Sequence, residues 1–295
     1  MKTVKGLHEK MGTFENANTS FHQAARCKRY TNEVLAFSMV KEEELLRATE
    51  EIQNLTYRQG EYKIFKVFEP KERLIMALPF YDRVVQHMIC NAIQPVFENG
   101  FYYHSYACRS GKGMHAASDT LYQWMYETEV KQGLRMYAFK GDISKYFASI
   151  PHDKLKDENR RYIGDKKALM LMDDIIDHNG ILPDGVGIPV GNLTSQLFAN
   201  VYGNKLDKFC KHVLHIPYFV RYMDDFIILS DDLEQLKEWV KRIEEFLENE
   251  MLLHINPKST ILYAGNGIDF CGYIHYADHK KVIIYQKVKA RCKGV

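Results

Sequence analysis

The chain has 295 residues, of which 46% are apolar and 26% charged, with a formal net charge of +2. That length supports a substantial core divided among two or three subdomains, and the composition excludes a disordered or fibrous protein. So small a net charge neither demands nor excludes a polyanionic partner, so a nucleic-acid site has to come from local clustering.

Taken in chain order, residues 40–55 (VKEEELLRATEEIQNL) have helical apolar spacing with charges between, which predicts an amphipathic helix. YKIFKVFEPKERLIMALPF alternates apolar and polar residues on both sides of a Glu-Pro-Lys-Glu break and reads as a hairpin. YDRVVQHMICNAIQPVF predicts a helix that stops where Pro95 intervenes. A glycine-bearing basic loop, YACRSGKG, precedes a further helix, and MYAFKGDISKYFASI is a strand running into polar and aromatic residues. Residues 151–179 read as helical, and GVGIPVGNLTSQLFAN as a glycine-rich loop opening a helix. Residues 218–230 split into two short strands about Asp224 and Asp225, DLEQLKEWVKRIEEFLENE is an amphipathic helix, and short strands surround IDFCGYIHY. Irregular alternation of this kind implies an α+β fold with helices covering one face of a sheet. The apolar stretches are too short and too broken by charge for a transmembrane helix, and the N-terminus has no apolar signal core. We therefore expect a cytoplasmic protein with no membrane partner. Six cysteines without a C-x-x-C spacing fit a reduced compartment.

Chemistry concentrates in a few places. Asp224 and Asp225 interrupt an apolar β-rich run, YFVRYMDDFIILS. A hairpin turn there presents both carboxylates at one end of a sheet; the plainer reading is an ordinary turn, for which Asp is a common residue. Asp142 ends another strand, and by itself it reads more readily as the cap of a following turn. Side by side, two such strand ends make an oxygen-rich site suited to Mg²⁺. Gly187 and Gly191 free the backbone ahead of a helix carrying Ser195 and Gln196, so that a phosphate or base pair can approach closely, or they serve an ordinary turn. Arg109, Lys112 and Gly113 suit backbone phosphates, and Tyr102, Tyr103 and Tyr106 are able to stack on bases, although solvated charge and packing are the commoner fates. Cys271, His275 and His279 are four apart, but they follow a strand-like run and lack a fourth ligand for zinc.

DISKYF, IPVGNLTSQ and YMDD, in that order, resemble the first three palm motifs of reverse transcriptases. LHINPKST resembles the fourth and IDFCGY the primer-grip hairpin, while EPKERLI, DRVVQHMIC and YACRSGKGMHA resemble fingers motifs of the bacterial enzymes. Gln196 stands where most relatives carry proline, and Val190 where intron and retron enzymes typically carry glutamine. That pair points to the reverse transcriptases of diversity-generating retroelements. The resemblance implies a right-hand polymerase fold with fingers, an antiparallel palm sheet backed by helices, and a thumb largely absent. On this basis residues 1–117 are fingers and N-terminal region, 118–150 palm, 151–186 a fingers or helical insertion, 187–280 palm again, and 281–295 the start of a truncated thumb.

The same resemblance implies roles. Asp142 and Asp224 are expected to hold two Mg²⁺ ions, with Mn²⁺ as a substitute, assisted by the Ile143 carbonyl, while Asp225 shapes the site and helps to hold the primer-side metal. Lys258 faces the pyrophosphate as acid or counter-charge. Arg73 with Lys66 or Lys71 clamps the triphosphate, Phe147 excludes a ribose 2′-OH, and Val190, Gly191 and Gln196 line the nascent pair. Tyr222, Met223, Cys271 and Gly272 join Arg109, Lys112 and Gly113 against nucleic acid. Implied partners are an RNA template, a DNA or RNA primer, dNTPs and a small basic oligomeric accessory protein. Val190 further implies error-prone copying of template adenines, as in mutagenic retrohoming. Another bacterial reverse transcriptase, of the phage-defence, retron or intron type, and a catalytically weak nucleic-acid-binding scaffold are the alternatives.

Overall fold

The computed structural model of the chain describes residues 3–68 and 72–283. In chain order its helices and strands are α1 (Leu7–Met11), α2 (Phe14–Ala24), α3 (Asn32–Met39), α4 (Lys41–Gln53), β1 (Lys63–Phe68), β2 (Glu72–Ala77), α5 (Phe80–Glu98), α6 (Met114–Met125), β3 (Tyr137–Asp142), α7 (Tyr146–Ser149), α8 (His152–Tyr162), α9 (Lys166–Asp177), α10 (Leu193–Lys208), β4 (Tyr218–Tyr222), β5 (Asp225–Ser230), α11 (Leu233–Phe246), β6 (Thr260–Tyr263), β7 (Ile268–Phe270), β8 (Tyr273–His275) and β9 (Lys280–Val282). They form two compact units. One comprises Met1–Phe101 with Phe147–Tyr202, the other Tyr102–Tyr146 with Gly203–Val295.

In the first unit, α5 buries Val84, Val85, Met88, Ile89, Ile93 and Phe97 at helical spacing. The rings of Phe21, Phe37 and Phe80 meet at centroid distances of 5.1–6.0 Å. The predicted stop at Pro95 is corrected here, because α5 continues through it to Glu98. Proline removes one intrahelical bond, but only the last turn follows it, and that turn buries Phe97 completely. The helical stretch expected over 151–179 is divided into α8 and α9 by Asp165. One oxygen of its carboxylate caps α9 through the amides of Lys167 and Ala168, and the other accepts from the amides of Leu7 and His8 at the start of α1. Strands β1 and β2 form the expected antiparallel hairpin, running from the Lys63–Ala77 pair to Phe68–Glu72. Lys71 lies outside the described residues.

The second unit is built on an antiparallel sheet in the order β4-β5-β3-β6. Alternation sends Ala138, Val220, Ile227 and Leu229 to one face, where Ala117, Leu121 and Met125 of α6 cover them. Phe139, Phe219 and Phe226 go to the other face and pack ring to ring at 5.8–6.0 Å. Gly141 is required by this packing, since a Cβ there would lie 2.3 Å from the Phe226 ring. A second sheet, β7-β8-β9, turns between its first two strands at Cys271 and Gly272, both with positive φ (50° and 79°). Positive φ at both central residues is the signature of the tight hairpin turn that matches strand twist. Of the segment expected to begin a thumb, Lys281 and Val282 belong to β9, and residues 284–295 lie outside the described residues.

Candidate active site

Asp142 closes β3, Asp225 opens β5, and the register places them directly opposite each other. Directly opposed residues share a face of the sheet, so their carboxylates emerge on the same side. The hairpin that joins β4 to β5 turns on two residues, Met223 and Asp224. Met223 is left-handed, with φ of 59°, a conformation that costs a non-glycine residue about 1–2 kcal/mol. The expected turn is thus present, and the partner of Asp142 across the ladder is Asp225, with Asp224 at the turn itself.

Each carboxylate-bearing segment is held from behind. The Ile143 amide donates to the Asp224 carbonyl at 3.2 Å. Asn256 donates its side-chain amide to Asp142 Oδ2 at 2.6 Å and its backbone amide to the Asp142 carbonyl at 2.7 Å. Ser259 Oγ accepts from the Asp142 amide at 3.0 Å. Lys258 is exposed on this short loop, with its own amide bonded to Asn256 Oδ1 at 3.1 Å. Under the turn lies Arg221, at 0% exposure one of the largest fully buried side chains among the described residues. Its guanidinium forks onto Asp207 of α10 (Nε to Oδ1 2.5 Å, Nη2 to Oδ2 2.7 Å), reaches Ser105 Oγ at 3.1 Å, and donates from Nη1 to the Met223 carbonyl at 2.8 Å. Burial alone would pull Arg221 down, but the Asp207 charge and hydrogen bonds hold it above its ordinary value. Asn256, Ser259, Asp207 and Arg221 are the residues that sequence reasoning misses. An arginine flanked by Phe-Val and Tyr-Met in a strand is the one available signal, since a buried arginine needs a partner.

Carboxylate oxygens such as those of Asp142, Asp224 and Asp225 are the donors that a hard cation like Mg²⁺ takes, its shell completed by water and substrate phosphate. Among the described residues no group of three or more His, Cys, Asp or Glu is placed to hold a metal ion by itself, so Asp142, Asp224 and Asp225 would supply only part of a coordination shell. The Cys271–His275–His279 alternative is not assembled. His275 is buried with Nδ1 donating to the Ile268 carbonyl and Nε2 accepting from Ser118 Oγ, and His279 is bonded to Asp278 and stacked on Tyr276. Burial first, and then the Asp225 charge, push the Cys271 thiol well above its usual range.

Of the residues expected on nucleic acid, Tyr222 is half-buried and, with Cys271, packs against the α6-covered core. Arg109 donates from Nη1 to the carbonyls of Tyr102 and Ser105 (2.7 and 2.6 Å), shaping its loop from within. Lys112 donates to the Tyr103 carbonyl at 2.9 Å and lies 3.6 Å from that ring's centroid. Gly113 has φ of 120°. Tyr103 is exposed, whereas Tyr106 is buried with its hydroxyl on Thr120 and so is closed to a base.

The residues expected to meet the nucleotide belong to the first unit. The amide of Met76 donates to the Val190 carbonyl at 3.2 Å, and the Ile188 amide to the carbonyl of half-buried Phe147 at 2.8 Å. Gly191, with φ of 114°, is exposed, and a Cβ there would come within 3.1 Å of Ile75. Ile75 and Arg73 share one face of the β1–β2 hairpin by the period of two, and Arg73 is exposed there. Lys66 points to the opposite face, where it bonds Glu72 at 2.6 Å. The structure therefore groups Arg73 with Gly191 and separates Lys66 from both. Gln196 sits in the first turn of α10, its amide bonded to the Asn192 carbonyl at 3.3 Å.

A model of the reverse transcriptase (RNA-dependent DNA polymerase) family matches residues 66–275. The chain belongs to that family of nucleotidyltransferases. Protein YkfC of Escherichia coli is 25% identical over 238 residues, covering 65% of this chain and 60% of that protein. An uncharacterized 91 kDa protein in the cob intron of Schizosaccharomyces pombe is 29% identical over 137 residues, or 45% of this chain and 16% of that protein. Among solved structures, apo telomerase from Candida tropicalis, truncated from its C-terminal domain, superposes with a TM-score of 0.54 at 15% identity, covering 76% of this chain and 54% of that one. Telomerase from Candida albicans, in complex with a fragment of telomeric RNA, gives 0.53 at 13% identity, covering 76% and 45%. This likeness shows the fold: an α+β architecture of fingers and palm, with helices packed on an antiparallel sheet. The chain spans 60% or less of the length of these relatives.

Proposed function

We propose that the chain is an RNA-directed DNA polymerase that extends a primer on an RNA template. The observation that carries this is the in-register pairing of Asp142 and Asp225 beside the Asp224 turn, inside the stretch that the family model matches. Bound Mg²⁺, for which Mn²⁺ would substitute, supplies activation of the primer 3′-hydroxyl and neutralisation of the leaving pyrophosphate. The chain's own residues do the rest. Asp142, Asp224 and Asp225, with the Ile143 carbonyl, hold the cations, and Lys258 delivers positive charge or a proton to the pyrophosphate. Arg73 meets the triphosphate as the cation of its hairpin face, Phe147 rejects a 2′-hydroxyl, and Val190, Gly191 and Gln196 bound the base pair. The second unit serves as palm, and the first contributes the fingers.

Two readings of the class within the family follow. Val190 and Gln196 support a diversity-generating enzyme that miscopies template adenines and works with a small basic oligomeric partner. The intron proteins among the relatives, including a putative COX1/OXI3 intron 2 protein of Saccharomyces cerevisiae at 22% identity, favour the alternative of a reverse transcriptase of the intron type. Mg²⁺-dependent primer extension on RNA, with Asp224→Ala as control and sequencing of the product, tests both. Extension abolished by Asp224→Ala supports the polymerase; errors confined to template adenines support the first class and uniform fidelity the second. No extension leaves a nucleic-acid-binding scaffold.

A further inference from the structure

Met223 occupies the first position of a two-residue hairpin turn, a place that ordinarily requires glycine because φ is positive. The strain is local to the peptide that carries Asp224. A side-chain contact reaches that peptide, the 2.8 Å hydrogen bond from Arg221 Nη1 to the Met223 carbonyl. The donor is itself immobilised. Its fork onto Asp207 is bidentate, the most directional form of carboxylate recognition, and Ser105 takes a further N–H. The backbone of Arg221 is fixed as well, its amide bonded to the His104 carbonyl and its carbonyl to the Tyr106 amide, both at 3.0 Å. Helix α10 makes room for the guanidinium with Gly203, where a Cβ would sit 2.6 Å from Nη1 and 2.8 Å from the Tyr146 hydroxyl. An ion pair this deeply buried is a poor device for stability alone, because apolar residues of equal volume often serve as well. Its directionality is what an apolar pair cannot supply.

We infer that Arg221, clamped by Asp207, is a positioning residue for Asp224. It holds the Met223–Asp224 peptide in its left-handed turn, so that the carboxylate is set before metal and substrate arrive. This rests on the polymerase reading above, in which Asp224 is a cation ligand. The test compares the wild-type chain with Arg221→Met/Asp207→Leu, which removes both charges at similar volume, and with Arg221→Lys, which keeps the charge pair but loses the fork. Folding is monitored by thermal melting, and hydrogen exchange of the 222–226 segment reports the turn without reference to activity. We expect folded variants with faster exchange confined to the turn. Their kcat for primer extension should fall about a hundredfold, the scale of a misplacement near 1 Å, with a raised Mg²⁺ requirement. Adding Met223→Gly, which adopts positive φ without a clamp, should restore much of that loss; a purely structural ion pair would show no such rescue. Wild-type kcat in a folded clamp variant, or unchanged exchange at the turn, overturns the inference. If the wild type does not extend a primer, the polymerase reading fails by itself, and the exchange data alone decide whether the clamp exists.

Discussion

The end of the β3–β5 ladder and the β1–β2 hairpin carry charges of opposite sign and are built in opposite ways. Around Asp142 and Asp224 the backbone is bonded to Asn256, Ser259 and Ile143, and the buried Arg221–Asp207 pair holds the Met223 carbonyl. On the hairpin, Arg73 is exposed, Lys66 is paired with exposed Glu72, and the second motif reaches the strand through the Met76–Val190 backbone bond. The difference follows from the tasks proposed for them. A hydroxyl and a leaving group have one productive geometry, for which preorganised groups serve best, whereas a nucleotide-accepting surface has to admit four bases and release a product. Rigidity is concentrated where the reaction has a single answer.

The sharpest way to break this comparison is at the rigid end. Asp224→Ala should lower kcat by roughly a thousandfold or more, the scale of losing a group that stabilises transition-state charge, while the melting temperature holds or rises as carboxylate repulsion is relieved. Asn256→Ala is the next test. It frees Asp142 Oδ2 without touching a carboxylate, and loss of an outer partner of this kind typically costs about 10–100-fold in metal affinity or activity. A Mg²⁺ titration of primer extension should show a higher half-saturating concentration. An unchanged titration would mean that Asp142 needs no support and that the contrast is overstated.

Much of this architecture is legible in the chain. The apolar β-rich runs in YFVRYMDDFIILS and MYAFKGDISKYF give the three strands β3, β4 and β5 and place the acids at their ends, because a run that short and that apolar between polar breaks fits a buried strand. The supports are not legible for a physical reason. Asp207 looks like any charge on a helix, and it becomes a buried partner only when α10 brings it beneath Arg221, fourteen positions further along. Asn256 and Ser259 likewise acquire meaning only through the loop's pairing with Asp142. The hairpin shows the converse, since Lys66 and Arg73 look like one cationic cluster until the register assigns them to opposite faces.

At the permissive end, effects should be smaller and should appear in substrate terms. Arg73→Ala should raise the KM for dNTP about tenfold, consistent with about 1.5–3 kcal/mol for a hydrogen bond to a charged group, with kcat and melting temperature nearly unchanged. Lys66→Ala should do neither; exposed ion pairs contribute about 0–1 kcal/mol, and its face is not that of Gly191. Equal KM effects for the two would show that both faces meet the triphosphate. On the diversity-generating reading proposed above, Val190→Gln should leave the rate within a few-fold and reduce errors at template adenines, as read by product sequencing.

The smallest expected effect concerns the loop that carries Lys112. Burial, and then the charges of Lys112 and Lys211, lower His104 to about 4; its ring is stacked edge-on with Tyr103 and Trp124 and its Nδ1 bonds the Tyr106 hydroxyl. The unfolded chain binds this proton near pH 6.5, so between the two values the unfolded state holds more protons and stability falls as pH drops. The contribution is fully present above about pH 6.5 and is lost as pH falls toward 4. Melting curves for wild type and His104→Gln across that window should converge, the wild type losing more on acidification because only its side chain takes up a proton. Parallel curves would show that the ring titrates as freely in the folded loop as in the unfolded chain.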